Sequence, residues 1–351
     1  RGTSPFTMAT ISRPKKGTSS VGRLILFSIL VLIGVFSFLM GQGENSNNYP
    51  LLLTGTSPTS SSSASPPLDP KYRLAYEESF GFFDDIPEDN WLRRKKIAQN
   101  RVHVPNREEL EKGRDPKRET YTAKFWDARW HDTSYEPDFS CDFEDTVGST
   151  TRDGRKWVCD VHRIAARKDC LVYSVGSNGD FTFEVGVEQR APNCEIHTFD
   201  VKDFSQKKKE YGANRTNLHV YGLKSSYETN PDLVVTRVAH QFGKLKGSRY
   251  ALKTLQEIRK ELGHENRTID LFKIDCEACE WVSYKDWLDD IDIRQLLVEV
   301  HEVPLIVYDF FEALHKHGFV VFHKEHNAQW SGGNCVEYSF LRLSPNFTKN
   351  H

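Results

Sequence analysis

Apolar and polar positions change rhythm several times along this chain. From residue 121 onward, strand-length runs alternate with helix-length amphipathic stretches. Leu171–Val175 and Ile196–Phe199 read as the first two strands, and Leu218–Tyr221 as a third. Leu252, Leu255, Ile258 and Leu262 share one helical face, with Ser248 as N-cap and Gly263 as the stop. Ile269–Ile274 and Leu296–Val300 are strands four and five. Pro304 suits the first turn of a helix that ends at Gly318. Phe319–His323 and Tyr338–Leu343 close the pattern with no helix-length segment between them, so they pair antiparallel. Phe181, Phe183, Val185 and Val187 alternate as in a strand. That segment is nevertheless expected to be a helix, because two parallel strands need a crossover. Alternating strands and helices predict an α/β domain with a mostly parallel sheet covered on both faces.

The N-terminal pattern is of another kind. Leu24–Met40 holds 17 residues without a charge, at the short end of what spans a bilayer. Arg13, Lys15, Lys16 and Arg23 precede it, and no Lys or Arg follows until Lys71. This asymmetry predicts a cytosolic N-terminus and a luminal remainder. Met8 is the expected initiator. A cleaved signal peptide is the alternative, with Gly41 and Gly43 near a cleavage site. Residues 54–67 are Ser/Thr/Pro-rich and suit a disordered, O-glycosylated stalk. The expected organisation is a cytosolic tail (1–20), a transmembrane signal-anchor (21–40), a stalk (41–70), a charged, loosely packed linker (71–120) and a folded domain (121–345). The reading is a single-pass type II protein of the Golgi or endoplasmic reticulum, secreted if the anchor is cleaved.

The formal net charge of −2 offers no nucleic-acid footprint. Three sequons, at Asn214, Asn266 and Asn346, agree with a luminal domain. Seven cysteines in an oxidising lumen permit disulfides and leave one over, with the pairing open. Cys276-Glu-Ala-Cys279 has no second CxxC, which argues against zinc and for a bridge or two inert thiols.

Candidate chemistry gathers at strand ends. The first strand runs into Gly176-Ser177-Asn178-Gly179, and the second ends in Asp200. A glycine turn offers backbone N–H groups, and a carboxylate at the neighbouring strand end suits a ribose diol. The turn is not G-x-G-x-x-G, which argues against a nicotinamide oxidoreductase. Asp180 is a possible helix cap. Asp275 and Glu277 follow strand four, and Glu299 and His301 end strand five. With an ordinary pKa near 6.5, His301 suits a base near neutrality. His326, Asn327 and Trp330 are placed to line an acceptor pocket.

Three stretches resemble one family. Cys170-Leu-Val-Tyr-Ser-Val-Gly176 followed by Asn178-Gly-Asp-Phe-Thr-Phe-Glu184, then His197-Thr-Phe-Asp200, then Leu271-Phe-Lys-Ile-Asp275-Cys-Glu277-Ala-Cys-Glu-Trp281 look like the ordered motifs of membrane-anchored methyltransferase-like proteins related to FkbM-type enzymes. The resemblance covers residues 126–343. The first turn is compressed, and Ala278 stands where that family usually has Gly. The resemblance implies a Rossmann-like class I methyltransferase domain: a seven-stranded, mostly parallel sheet with an antiparallel last strand. It implies S-adenosylmethionine as cofactor, bound by Gly176, Ser177, Asn178, Gly179, Glu184, Asp200 and Asp275.

The expected activity is methyl transfer to a luminal glycan, protein or small metabolite, with Glu277 and His301 as catalytic candidates. No metal site is expected, although Asp275 and Glu277 are the pair that would hold a divalent ion if one is used. The alternative is a Rossmann-like binding module without turnover, motivated by the compressed turn.

Overall fold

The computed structural model describes residues 68–105, 108, 130–149, 154–226, 250–277, 279–301, 307–327 and 335–349. Two helices open this part of the chain, α1 (Arg73–Glu78) and α2 (Glu88–Gln99). A hairpin follows, β1 (Glu144–Val147) and β2 (Lys156–Cys159), paired antiparallel. Then come α3 (Val161–Ala165), β3 (Leu171–Val175), α4 (Thr182–Arg190), β4 (Glu195–Asp200), α5 (Ser205–Tyr211) and β5 (Thr216–Val220). The short parallel pair β6 (Gly222–Leu223) and β7 (Leu252–Lys253) precedes α6 (Leu255–Leu262). The chain continues as β8 (Ile269–Ile274), α7 (Cys279–Leu288), β9 (Ile293–His301), α8 (Val307–Lys316), β10 (Phe319–His326) and β11 (Cys335–Arg342).

Seven strands form the central sheet in the order β10-β11-β9-β8-β3-β4-β5. The pairs β3–β4, β4–β5, β3–β8 and β8–β9 are parallel. The last strand, β11, is antiparallel to both β9 and β10. The chain winds outward from β3 through β4 to β5, then returns to β8 on the other side of β3. The strand order therefore reverses between β3 and β8, where open α/β sheets form ligand crevices.

The two faces of the sheet have separate cores. On one, Tyr173, Phe199, Phe272, Tyr338 and Phe340 pack against Leu255 and Ile258 of α6, Trp281 and Trp287 of α7, and Phe310 and Phe311 of α8. On the other, Val172, Ile196, Leu271, Leu297 and Leu341 meet Phe183 and Val187 of α4, Ile164 of α3 and the hairpin residues Val147 and Val158.

Several expectations are corrected here. Residues 71–99 are not a loose linker, because Ala75, Phe83 and Trp91 are fully buried in the second core. The Trp91 indole donates to Glu78 at 2.6 Å, and Lys95 pairs with the same carboxylate at 2.6 Å. Helix α6 starts after Thr254, whose hydroxyl accepts from the Glu257 N–H while the Glu257 carboxylate accepts from the Thr254 N–H. Leu252 lies in β7 and is exposed, outside the helical face assigned to it. Strand three falls at Thr216–Val220, two residues before its expected start and one before its expected end. The crossover argument holds: α4 is a helix despite its alternating pattern. Ser248, Pro304 and Trp330 lie outside the described residues, as do the expected anchor, nearly all of the stalk and residues 121–129. No helix among the described residues is long and apolar enough to cross a membrane.

Candidate active site

The crevice is built where β3 and β8 end side by side. Gly176 leaves β3 at φ +79°, and a Cβ there would collide with the Asp275 carbonyl, so only glycine permits this approach. Asn178 (φ +46°) and Gly179 (φ +82°) complete the turn. The Asp200 carboxylate sits against it: Oδ2 accepts from the Ser177 N–H at 2.9 Å, the Asn178 N–H at 3.0 Å and the Ser177 hydroxyl at 3.2 Å. Oδ1 accepts from the Lys202 N–H at 3.0 Å. Acid and glycine turn therefore face each other, as the spacing predicts, with the acid already latched onto the loop. Asp180 accepts from the Thr182 N–H at 2.8 Å and fixes the entry to α4.

Next to the turn lies a buried ionic cluster. The Lys156 ammonium, from β2, donates to Asp275 at 3.2 Å and to Glu337 of β11. Lys273 donates to the Gly176 carbonyl and lies 3.9 Å from Asp275. Burial alone would raise Asp275, but Lys156 and Lys273 hold it below the ordinary carboxylate range. Glu299 goes the other way. Burial, reinforced by the nearby Asp275 and Glu337 charges, pushes it up to about 9, so it is a neutral acid at pH 7. Asn327 donates to Glu299 at 2.9 Å, which brings one of the expected acceptor-loop residues to the site.

His301 is not the neutral base that its ordinary pKa implies. Its Nδ1 lies 3.0 Å from Oε1 of Glu280, a fully buried residue on α7, and its own N–H donates to the same oxygen at 3.0 Å. Burial opposes the imidazolium, yet the Glu280 charge and hydrogen bond raise its pKa well above 6.5. At neutral pH His301 carries its proton. Glu277, at φ +59° and with its side chain 42 % exposed, lies 3.6 Å from His301 Nε2. Cys276 and Cys279 are bridged across this turn, and two further bridges join Cys141 to Cys159 and Cys170 to Cys194. Cys335 is a buried thiol outside these bridges.

Six of the seven expected cofactor residues meet at this one crevice: Gly176, Ser177, Asn178, Gly179, Asp200 and Asp275. Glu184 does not. It is buried in α4, accepts from the Thr198 hydroxyl at 3.2 Å, and burial raises its pKa. Lys156, Glu280 and Glu337 were missed as site residues. A lone charge in an apolar strand, as in Val336-Glu337-Tyr338, was the readable signal.

A family model described as a methyltransferase domain matches residues 73–342. The chain belongs to this methyltransferase family. The match opens within α1, in agreement with the packing of residues 73–99 into the domain. No curated protein matches the chain. Among solved structures, it is similar to an rRNA methylase from Streptococcus thermophilus, at 11% identity and TM-score 0.32, over 52% of this chain and 92% of that one. It is also similar to M. capricolum TrmK in complex with S-adenosyl-homocysteine, at 9% identity and TM-score 0.30, over 52% and 69%. A third is a precorrin-6y C5,15-methyltransferase from Geobacter metallireducens, at 11% and 0.30, over 52% and 84%.

Proposed function

We propose that this methyltransferase-family chain transfers a methyl group from S-adenosylmethionine to an acceptor in the lumen of the secretory pathway: a glycan, a protein or a small metabolite. One observation carries the reading. Gly176, Asp200 and Asp275 converge at the carboxyl ends of three adjacent parallel strands, at the point where strand order reverses. Gly176, Ser177, Asn178 and Gly179 would hold the nucleoside part of the donor, and Asp200 would accept from its ribose hydroxyls. Asp275, kept ionised by Lys156 and Lys273, favours the cationic sulfonium end. When bound, the donor supplies the activated methyl. The protein's part is to align donor and acceptor and to exclude water. With His301 protonated and Glu299 neutral, Glu277 is the remaining candidate to take a proton from a hydroxyl acceptor.

The luminal setting rests on three disulfides, which persist in oxidising compartments, and on the exposure of all three sequon asparagines. Residues 24–40 anchor the domain as a single-pass, type II span, and the relation to FkbM-type enzymes belongs to the same proposal.

The latched Asp200, only 8 % exposed, favours one competing reading, a binding module without turnover. Labelled donor incubated with the detergent-solubilised chain and a secretory extract separates the two. Label transferred to an extract component supports the enzyme, and binding without transfer supports the module. Asp200→Ala is expected to weaken donor binding by about 1.5–3 kcal/mol, read by calorimetry. Unchanged affinity in a folded variant removes Asp200 from the site.

A further inference from the structure

A second cluster lies away from the crevice, at the far end of α8 from the β9 terminus. His103, Asp138 and His315 bring three ligand-type atoms within 4.8 Å of one another. Both ring nitrogens of His103 and Oδ2 of Asp138 are buried without a hydrogen-bond partner. Such orphans call for a missing partner. Nε2 of His103 stands 3.5 Å from Asp138 Oδ2. That is beyond the usual N–H···O range of about 2.7–3.2 Å. It matches the roughly 3.4 Å between two ligands each about 2.0–2.1 Å from one tetrahedral ion. The other carboxylate oxygen is fixed by the Val321 N–H at 2.7 Å, and the His103 ring is stacked on Tyr135. The carboxylate is therefore oriented by a backbone hydrogen bond and the imidazole by ring packing. The two histidines line a groove of about 600 Å³, which supplies an entry path and room for a solvent ligand.

We propose that His103, Asp138 and one ring nitrogen of His315 bind a divalent transition-metal ion, with zinc as the reference ion, leaving a fourth position open to the groove. A hydrogen-bonded histidine cluster elsewhere provides the contrast. Around His197 and His264, the ring nitrogens already meet His219, Glu195 and Tyr173 at 2.7–2.9 Å, so no orphan asks for an ion.

The test uses the detergent-solubilised full chain, stripped with a chelator and titrated with Zn²⁺ or Co²⁺. One equivalent bound, with the visible bands of tetrahedral cobalt, is expected. His103→Ala and His315→Ala should each weaken binding at least about 100-fold, since even second-sphere losses cost 10–100-fold. His264→Ala should change nothing, and S-adenosylhomocysteine binding should be unchanged in all three. His315 is only half-buried, so its variant reports even if His103→Ala fails to fold. Absence of bound metal, or binding equally tight in His315→Ala, overturns the proposal.

Discussion

On one face of the central sheet, Tyr173, Phe199, Phe272, Tyr338 and Phe340 pack against aromatic helices. On the other, the same strands present Ser174, Thr198, Lys273, Asp275, Glu299 and Glu337 near their crevice ends. The aromatic face asks mainly for shape, and its few polar groups, such as the Tyr173 hydroxyl and His264 Nδ1 at 2.7 Å, pair with one another. Rings there meet edge-on, as in Phe272 against Trp287 and Trp281 against Phe310. The polar face holds buried charge, which is tolerable only as a closed set. One member of that set, Lys156, comes from the β1–β2 hairpin rather than from the sheet. The hairpin is thus part of the crevice as well as a cover for the core, and the two faces should fail in different ways.

The largest effect is expected at Lys156. Lys156→Met leaves Asp275 and Glu337 facing each other without their shared cation, at a cost of about 3–5 kcal/mol. Urea unfolding at pH 7 measures it. Adding Glu337→Met should recover part of the loss, with a coupling of about 0.5–3 kcal/mol in a double-mutant cycle. Additive losses would mean that the cluster is not a closed set.

How far the sequence foretold this contrast depends on the residue. Leu171–Val175 was legible because a strand buried on both faces reads as a nearly continuous apolar run, and Ile269–Ile274 because four apolar residues outweigh Asp270 and Lys273. The glycine turn and Asp200 were legible because both contacts follow from strand adjacency. Helix α2 was not: in EDNWLRRKKIAQ only Trp91 and Ala98 are buried, so charge hides its inner face. The hairpin strand EDTV carries little apolar signal for the same reason. The start of α6 was readable in Thr254-Leu-Gln-Glu257, a capping box that outranks an isolated serine. The protonation of His301 was beyond reach, since it is set by Glu280, which tertiary packing brings beneath it.

A second way to separate the faces is pH. Glu299 holds its proton up to about 9 when folded, against an ordinary 4.5. Across that window unfolding releases the proton, so stability falls as pH rises, by up to about 1.4 kcal/mol per pH unit. His301 acts in the same direction. Its contribution is complete below 6.5 and is lost as pH rises through its higher folded value. Asp275, held below 3.8, contributes above that value and loses its contribution in acid. Glu299→Gln should therefore flatten the alkaline fall in chemical-denaturation stability between about pH 5 and 9 and leave the acid limb unchanged. An unaltered alkaline slope would show that Glu299 ionises normally.

The smallest effect belongs to the aromatic face and is the control for all the others. Ile258 is fully buried on α6, against the aromatic side of the sheet and apart from the crevice's ionic cluster. Ile258→Val removes one methylene and should cost about 0.5–1.5 kcal/mol by leaving a small cavity. None of the crevice's titratable groups changes its surroundings, so the loss should be the same at pH 7 and 9, and donor affinity should be untouched. If the loss instead grew with pH, packing on one face would be setting proton affinities on the other. The sheet would then transmit strain between its two sides, and the division of labour between shape and charge would have to be abandoned.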